Sequence, residues 1–287
     1  MKYKNQKYLK RFGSLEGKTA VITGASGAIG KQIAINFLLM GSNVILPSLP
    51  NETEQLKTEL SAQFDANKIQ VYPIDLTDYT SINKFIEQIK TQNIDYLINN
   101  AGVIGRLAYK INFLGTMYLT LRLTPLLNKN KNSSVVFQNS FSYRMAKIDW
   151  EDLENTKDPK KIRAYAKTKR MQALAVVYLK KNFLKDYPNV KFVIAHPGAV
   201  ASDINGKATD FQKKISKLFL HSAQTASLSA TKAALANVPD NKLAGPRYLG
   251  IWGRPRFRGL QKSLYSGQEQ AKIKPVIDAL IKDTKNK

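Results

Sequence analysis

The feature that most constrains this chain is a turn of small residues between an apolar strand and an amphipathic helix. Residues 19–22 have the pattern of a buried strand, and Thr23-Gly24-Ala25-Ser26-Gly27-Ala28-Ile29-Gly30 follows directly. The next residues place apolar side chains at helical spacing up to Gly41. Small residues let backbone N–H groups approach a pyrophosphate, and the helix N-terminus favours negative charge. This turn therefore predicts a dinucleotide site.

The rest of the chain repeats the alternation of strand and helix, without internal repeats or a low-complexity linker. This alternation predicts an α/β fold with a doubly wound, mainly parallel sheet of about seven strands and helices on both faces. Residues 1–15 are expected to form a loose basic arm, and residues 16–287 a single domain. A capping-box pattern at Asn51 and Glu54 predicts a helix start there. The predicted strands cover 19–22, 43–46, 68–73, 96–98, 134–138, 191–195 and 248–251, and the later helices cover 78–91, 109–127, the segment after Tyr165, and 222–236.

Composition excludes several kinds of site. The chain has 287 residues, no cysteine and two histidines, so disulfides, thiolate sites and a histidine metal cluster are not expected. The formal charge is +24, but the lysines are spread along the chain and are not interleaved with aromatic residues, so no nucleic-acid partner is expected. No apolar run of about 18 residues is present, and a cytoplasmic location is expected.

Tyr165 and Lys169 form a second candidate for chemistry. They are four residues apart at the start of a segment whose apolar residues recur at helical spacing, so a helix would place them on one face. A positive charge favours a phenolate, and such a pair can exchange a proton with an alcohol or carbonyl oxygen. Taken alone, the pair is more often an ordinary part of a basic helix face.

Several stretches together resemble the short-chain dehydrogenase/reductase family over about residues 16–252. These are the turn 23–30, with Ala28 where the family has a glycine, and then Asp75-Leu76, Asn99-Asn100-Ala101-Gly102, Asn112, Ser140, Tyr165 with Lys169, and Pro197-Gly198 with Ser202. The 24 residues between Ser140 and Tyr165, and Gly245-Pro246-Arg247, are similar to the retinol-dehydrogenase-like branch. That branch mostly uses NADP(H) and acts on apolar carbonyls and alcohols.

The resemblance implies a Rossmann-type domain and an NAD(P)-dependent oxidoreductase that transfers hydride between nicotinamide and an alcohol or carbonyl. It makes Tyr165 the general acid/base, and Lys169 the group that lowers the pKa of Tyr165 and bonds the nicotinamide ribose. Ser140 would bind the substrate oxygen, and Asn112 would hold a water linking the lysine to solvent. No metal is implied. The implied cofactor-binding residues are Gly24, Ser26, Gly27, Ala28, Ile29, Gly30, Ser48, Asp75, Leu76, Asn99, Ala101, Gly102, Tyr165, Lys169, Pro197, Gly198, Val200 and Ser202.

Three departures from the family pattern bear on this interpretation. The methyl group of Ala28 stands where backbone should approach phosphate. The end of the second predicted strand carries neither the acid typical of NAD enzymes nor the arginine typical of NADP enzymes, and Glu52 is attributed to the first turn of a helix. NADP(H) is favoured from the basic charge and the branch, and NAD(H) is not excluded. The stretch 103–111 is shorter than in the family, which predicts a more open substrate side.

Two questions stay open at this level. Residues 203–221 are favoured as a lid over an apolar substrate, with a basic membrane-surface helix and an ordinary packing helix as alternatives. The whole chain is favoured as an enzyme for a small alcohol or carbonyl, with a non-catalytic, redox-responsive dinucleotide-binding protein as the alternative. Peripheral membrane contact and a homo-oligomer are both left open.

Overall fold

The computed structural model describes residues 5–154, 156, 161–198, 222–248 and 252–285. Within these residues the strands form one sheet in the order β3-β2-β1-β4-β5-β6-β7-β8. The strands are β1 (Thr19–Ile22), β2 (Asn43–Ser48), β3 (Ile69–Pro73), β4 (Tyr96–Asn99), β5 (Ser133–Gln138), β6 (Val190–Ala195), β7 (Lys242–Tyr248) and β8 (Trp252–Gly259).

The sheet is parallel from β3 to β7, and β8 pairs antiparallel with β7. The chain winds outward from β1 in one direction through β2 and β3, and in the other through β4 to β7. The order therefore reverses between β1 and β4, and a ligand crevice is expected at the carboxyl ends of these two strands. The predicted doubly wound sheet is confirmed.

The far edge differs from the prediction. Apart from Tyr248, the strand expected at 248–251 lies outside the described residues, in which β7 ends at Tyr248 and β8 begins at Trp252. Pro246 pairs with Pro255 in this hairpin, and arginines occupy alternate positions of β8. Proline and charge are typical of edge strands, and they conceal the apolar alternation on which strand prediction depends.

Helices cover both faces of the sheet, as predicted. One face packs against α1, α2, α3 and α7, and the opposite face packs against α4, α5, α6 and α8. Two adjacent residues of β5 show this division, since Val136 packs with α2 and α7 on one face and Phe137 packs with α5 and α6 on the other. The helices are α1 (Gln6–Leu9), α2 (Ala28–Leu39), α3 (Thr53–Ser61), α4 (Tyr79–Ile89), α5 (Thr116–Leu127), α6 (Lys161–Asn182), α7 (Ala223–Leu235) and α8 (Gly267–Lys285).

Two local expectations are wrong. The loose arm is ordered over residues 5–15, because Tyr8, Leu9 and Leu15 are buried in the core that contains α2 and α7. The helix predicted to start at Asn51 is preceded by a 3₁₀ turn, Pro50–Glu52, and α3 begins at Thr53 without a side-chain cap. Of the described helices, none is long and apolar enough to cross a bilayer.

Candidate active site

The glycine-rich turn joins the carboxyl end of β1 to the start of α2, at the predicted crevice. Gly24 has a φ of +67°, and a Cβ there would lie 2.8 Å from the Cα of Ala101. A Cβ on Gly30 would lie 2.1 Å from the main-chain oxygen of Gly24. Any side chain at either position would break this close approach, so the turn requires glycine at both.

The turn is fixed to the end of β4 by a set of hydrogen bonds. The Thr23 hydroxyl accepts from the N–H groups of Asn100 and Ala101, at 3.1 and 3.0 Å. The Asn100 amide donates in return to the main-chain oxygens of Thr23 and Gly24, at 3.1 and 3.2 Å. This bracing holds the N-terminus of α2 open toward the crevice, where the first N–H groups of a helix lack intrahelical partners.

A cleft of about 360 Å³ lies in front of the turn. It brings together eleven of the predicted cofactor residues, namely Gly24, Ser26, Gly27, Ala28, Ile29, Gly30, Ser48, Asp75, Leu76, Ala101 and Gly102. Asn99 is not among the lining residues, because its amide is turned into α5 and donates to the Thr120 hydroxyl at 2.9 Å. Its neighbour Asn100 lines the cleft instead.

One end of the cleft carries polar groups from β2 and β3. Ser48 is buried, and its hydroxyl has no hydrogen-bond partner among the described residues. Asp75 is held by Thr77, whose N–H and hydroxyl both donate to one carboxylate oxygen at 2.8 Å. Glu52 also lines the cleft, although the capping pattern attributed it to the first turn of a helix, where the helix dipole would account for it. Glu52 ends the 3₁₀ turn before α3, and it is half-buried.

The four candidate catalytic residues come from three separate elements. Ser140 follows β5, Tyr165 and Lys169 lie one turn apart on α6, and Asn112 lies in a π-helical segment, Lys110–Gly115, that precedes α5. The Ser140 hydroxyl hydrogen-bonds the Tyr165 phenol. The Lys169 ammonium lies 5.6 Å from the centroid of the Tyr165 ring. Ser140 and Tyr165 are half-buried, whereas Asn112 and Lys169 are buried.

The electrostatics of this group differ from the expectation. Burial raises the pKa of Tyr165, and the Ser140 hydrogen bond opposes that rise. Burial lowers the pKa of Lys169 to about 7. Lys169 is not among the groups that shift the pKa of Tyr165 here, because desolvation dominates, and its role in lowering that pKa stays a prediction.

Asn112 is fully engaged by hydrogen bonds. Its side-chain oxygen accepts from the Val103 N–H at 2.8 Å, and its amide donates to the Val103 oxygen at 2.9 Å. The same amide lies 3.2 Å from the Thr168 hydroxyl, one residue before the lysine. Asn112 thus ties the short stretch 103–111 to α6. The helix predicted over 109–127 is present as the π-helical segment continued by α5.

Two buried polar residues of the site, Asn139 and Gln172, were not predicted from the sequence. Asn139 donates to the main-chain oxygen of Lys169 at 2.8 Å and accepts from the Ser140 N–H at 2.7 Å. Gln172 lies one turn after Lys169 and contacts its ammonium at 3.3 Å. Neither stands out in the sequence, since Asn139 lies between Gln138 and Ser140 and Gln172 closely follows Lys169 and Arg170.

The last of the predicted cofactor-binding residues follow β6 in the chain. Pro197 and Gly198 follow the strand end, and Gly198 has a φ of +89° that favours glycine. Val200, Ser202 and the expected lid at 203–221 lie outside the described residues. Within the described residues, no group of three or more histidine, aspartate or glutamate side chains could hold a metal ion.

Comparison with known proteins decides the family. The family model for short chain dehydrogenases matches residues 18–213, which include the turn, the cleft and all four candidate catalytic residues. The chain belongs to the short chain dehydrogenase family. The resemblance inferred from the ordered motifs is thereby confirmed.

Curated relatives agree with this assignment. The chain is 30% identical over 204 residues to dehydrogenase/reductase SDR family member 13 of Bos taurus, covering 67% of this chain and 54% of the relative. It is 27% identical over 215 residues to retinol dehydrogenase 14 of Mus musculus, covering 67% of this chain and 64% of that protein. The chain therefore spans less than two thirds of the length of these relatives, and their names support the resemblance to the retinol-dehydrogenase-like branch.

Solved structures share the fold. An uncharacterized protein from Mycobacterium Paratuberculosis superposes with a TM-score of 0.71 at 24% identity, over 96% of this chain and 97% of that one. The C-domain of a bacterial malonyl-CoA reductase, solved with NADP, superposes with a TM-score of 0.54 at 24% identity, over 68% of this chain and 32% of that one.

Proposed function

We propose that this short chain dehydrogenase transfers hydride between a nicotinamide dinucleotide and an alcohol or carbonyl compound. The observation that carries the proposal is the hydrogen-bonded Ser140–Tyr165 pair, with Lys169 beside the tyrosine ring. All three groups lie at the carboxyl end of the sheet, where open α/β sheets bind ligands. The bound dinucleotide would supply the hydride, and the chain would supply orientation and proton transfer.

Tyr165 acts as the general acid when a carbonyl is reduced. Burial keeps its phenol protonated at neutral pH, so the proton needed by the carbonyl oxygen is present. Ser140 is held by Ser142, whose N–H and hydroxyl lie 3.3 and 3.0 Å from the Ser140 oxygen. The Ser140 hydroxyl is thereby placed to stabilise charge on the substrate oxygen as the carbonyl bond is reduced.

Lys169 binds the dinucleotide. A Cβ on Gly102, which lines the cleft, would lie 3.5 Å from the Lys169 ammonium, so the buried ammonium lies directly behind this part of the cleft wall. The residues of the cleft fit a dinucleotide, because the glycine-rich turn at the N-terminus of α2 lines it and Ser48 adds a buried hydroxyl without a hydrogen-bond partner among the described residues.

The cleft supports NAD(H) over the NADP(H) expected from the basic charge. Its described lining contains the carboxylates of Glu52 and Asp75 and no arginine or lysine. A carboxylate accepts hydrogen bonds from ribose hydroxyls, whereas it repels a 2′-phosphate. Glu52 lies at the same end as Ser48, beyond β2, where the adenosine ribose binds in folds of this kind.

Exposed apolar side chains support an apolar substrate. Val103 at the cleft is 37% exposed, Phe141 beside Ser140 is 43% exposed, and Met145 is 80% exposed. An apolar substrate would cover such side chains beside the site and remove their surface from water. A cytoplasmic location remains a prediction that accompanies this proposal.

The test is a titration with NADH and NADPH, followed by a panel of aldehydes and ketones of increasing apolar length, monitored by loss of reduced-nicotinamide absorbance. We expect binding of NADH and turnover that improves with apolar length. Tight dinucleotide binding without turnover of any carbonyl or alcohol would contradict the proposal and favour the non-catalytic alternative.

A further inference from the structure

The fully buried Gln172 makes hydrogen bonds to both sides of the candidate active site. Its side-chain oxygen lies 3.3 Å from the Lys169 ammonium, and its amide nitrogen donates to the main-chain oxygen of Asn112 at 2.5 Å. The same side-chain oxygen lies 3.5 Å from the Asn139 amide. Gln172 is 0% exposed, so these contacts occur away from solvent.

The backbone explains why Asn112 can accept this bond. Asn112 lies in the π-helical segment Lys110–Gly115, where the usual i to i+4 bonding is interrupted. Such segments leave carbonyl groups that other donors satisfy. On α6, Lys169 and Gln172 are three residues apart and share one face, so a single side chain spans the gap between the two helices.

We infer that Gln172 is a positioning residue that links the ammonium of Lys169 to the main-chain oxygen of Asn112. Its amide supplies the one donor and the one acceptor that a water bridging these two groups would supply. Lys169 is then held from two sides, by Gln172 and by the Gln138 main-chain oxygen at 2.7 Å. Its third N–H is directed by this arrangement toward Gly102 and the cleft. This inference rests on the proposed role of Lys169.

The surroundings of Lys169 make the link measurable. The titratable side chain beside the Lys169 ammonium is that of Tyr165. Burial is the cause of the lowered pKa of Lys169, so no charged group among the described residues competes with the Gln172 amide for this ammonium. Gln172→Met keeps the length of the side chain and removes both bonds, which disfavours the ammonium. Gln172→Glu places a carboxylate beside the ammonium, which favours it. The two substitutions therefore shift the pKa of Lys169 in opposite directions.

The experiment measures the pKa of Lys169 by NMR in protein with ¹³C-labelled lysine, with the signal assigned by its loss in Lys169→Arg. We expect the pKa to fall in Gln172→Met and to rise by about one pH unit or more in Gln172→Glu. Gln270→Met is the matched control, because Gln270 donates to the main-chain oxygens of Leu264 and Leu174 and not to Lys169 or Asn112. It should leave the pKa unchanged.

Turnover with the best carbonyl separates the two proposals. We expect Gln172→Met to lower kcat roughly tenfold, as loss of a supporting hydrogen-bond partner does, with little change in KM for the carbonyl. An unmoved pKa, or shifts of the same sign in both variants, would overturn the role of Gln172. If the wild-type protein shows no turnover but the two variants still shift the pKa of Lys169 in opposite directions, the proposed function is overturned and the link through Gln172 stays intact. If Gln172→Met does not fold, the rise expected in Gln172→Glu still decides.

Discussion

The ammonium of Lys169 lies 5.6 Å from the centroid of the Tyr165 ring, yet its 2.7 Å hydrogen bond goes to the main-chain oxygen of Gln138. The lysine is therefore anchored to the end of β5. The acidity of Tyr165 is governed by burial and by Ser140. Under the proposed function the two residues of the helical pair have separate tasks, one at the substrate oxygen and one at the dinucleotide.

Removal of the Tyr165 hydroxyl should abolish turnover and spare dinucleotide binding. In Tyr165→Phe the ring remains in place, and the proton donor is lost, so kcat should fall by about 10²–10⁴. Steady-state kinetics and NADH titration measure the two effects. Tyr265→Phe is the control, because its hydroxyl donates to the Asp240 oxygen on an exposed part of the surface. Turnover that persists in Tyr165→Phe would exclude the tyrosine from the reaction.

Dinucleotide affinity should depend on pH through Lys169. Burial lowers the pKa of Lys169 to about 7, so its ammonium is present below that pH and is lost above it. Because the ammonium favours the anionic dinucleotide, affinity should fall as pH rises above 7, by at most about tenfold per pH unit for one proton. Fluorescence titration between pH 5.5 and 9 measures this. Lys169→Met should abolish the dependence, whereas Lys180→Met, elsewhere on α6, should retain it.

Lys169 should also make the stability of the fold depend on pH. Relative to Lys169→Met, the free energy of unfolding of the wild type should be larger at alkaline pH than at neutral pH. The folded-state pKa of Lys169 is lowered to about 7 from its ordinary value of 10.5. Between these values the unfolded chain binds the proton and the folded chain does not, so the free energy of unfolding rises with pH, by up to about 1.4 kcal/mol per pH unit. Urea unfolding at pH 7, 8.5 and 10 should show that the advantage of Lys169→Met in free energy of unfolding becomes smaller as the pH rises. A constant difference would show that Lys169 titrates normally.

Two glycines of the turn should differ sharply in their tolerance of alanine. Gly30→Ala would place a Cβ 2.1 Å from the Gly24 oxygen, so the turn must shift, and we expect a lower melting temperature and loss of NADH binding. Gly27→Ala is the matched control, because its Cβ would lie at an ordinary 3.5 Å from the same oxygen. Equal melting temperatures and equal NADH affinities in the two variants would contradict the close packing of this turn.

Glu52 should govern the choice of dinucleotide. Glu52→Lys replaces a carboxylate in the cleft lining by a cation, so the ratio of NADPH to NADH affinity should rise by about tenfold or more. Glu54→Lys makes the same change of charge in the exposed first turn of α3 and should leave the ratio near that of the wild type. A wild-type preference for NADPH that Glu52→Lys does not alter would remove Glu52 from the site.

The fold and the order of the site residues could be predicted because both depend on local patterns. Each strand and helix of the doubly wound sheet has its own apolar periodicity, and the topology follows from their alternation. Prediction failed where distant segments decide the outcome. The β7–β8 hairpin is an edge whose prolines and arginines hide its pattern, and residues 5–15 are ordered only because α2 and α7 offer an apolar surface.

The sequence by itself determined the turn at Gly24 and Gly30 and the spacing of Tyr165 and Lys169, since these depend on backbone sterics and helical repeat within a few residues. Only the tertiary structure decided which groups meet. It brought Ser140 to Tyr165, turned Asn99 away from the cleft, placed Glu52 among the lining residues, and placed Gln172 between Lys169 and Asn112. These contacts join residues from different elements, and their hydrogen bonds and desolvation depend on a packed interior that no local pattern specifies.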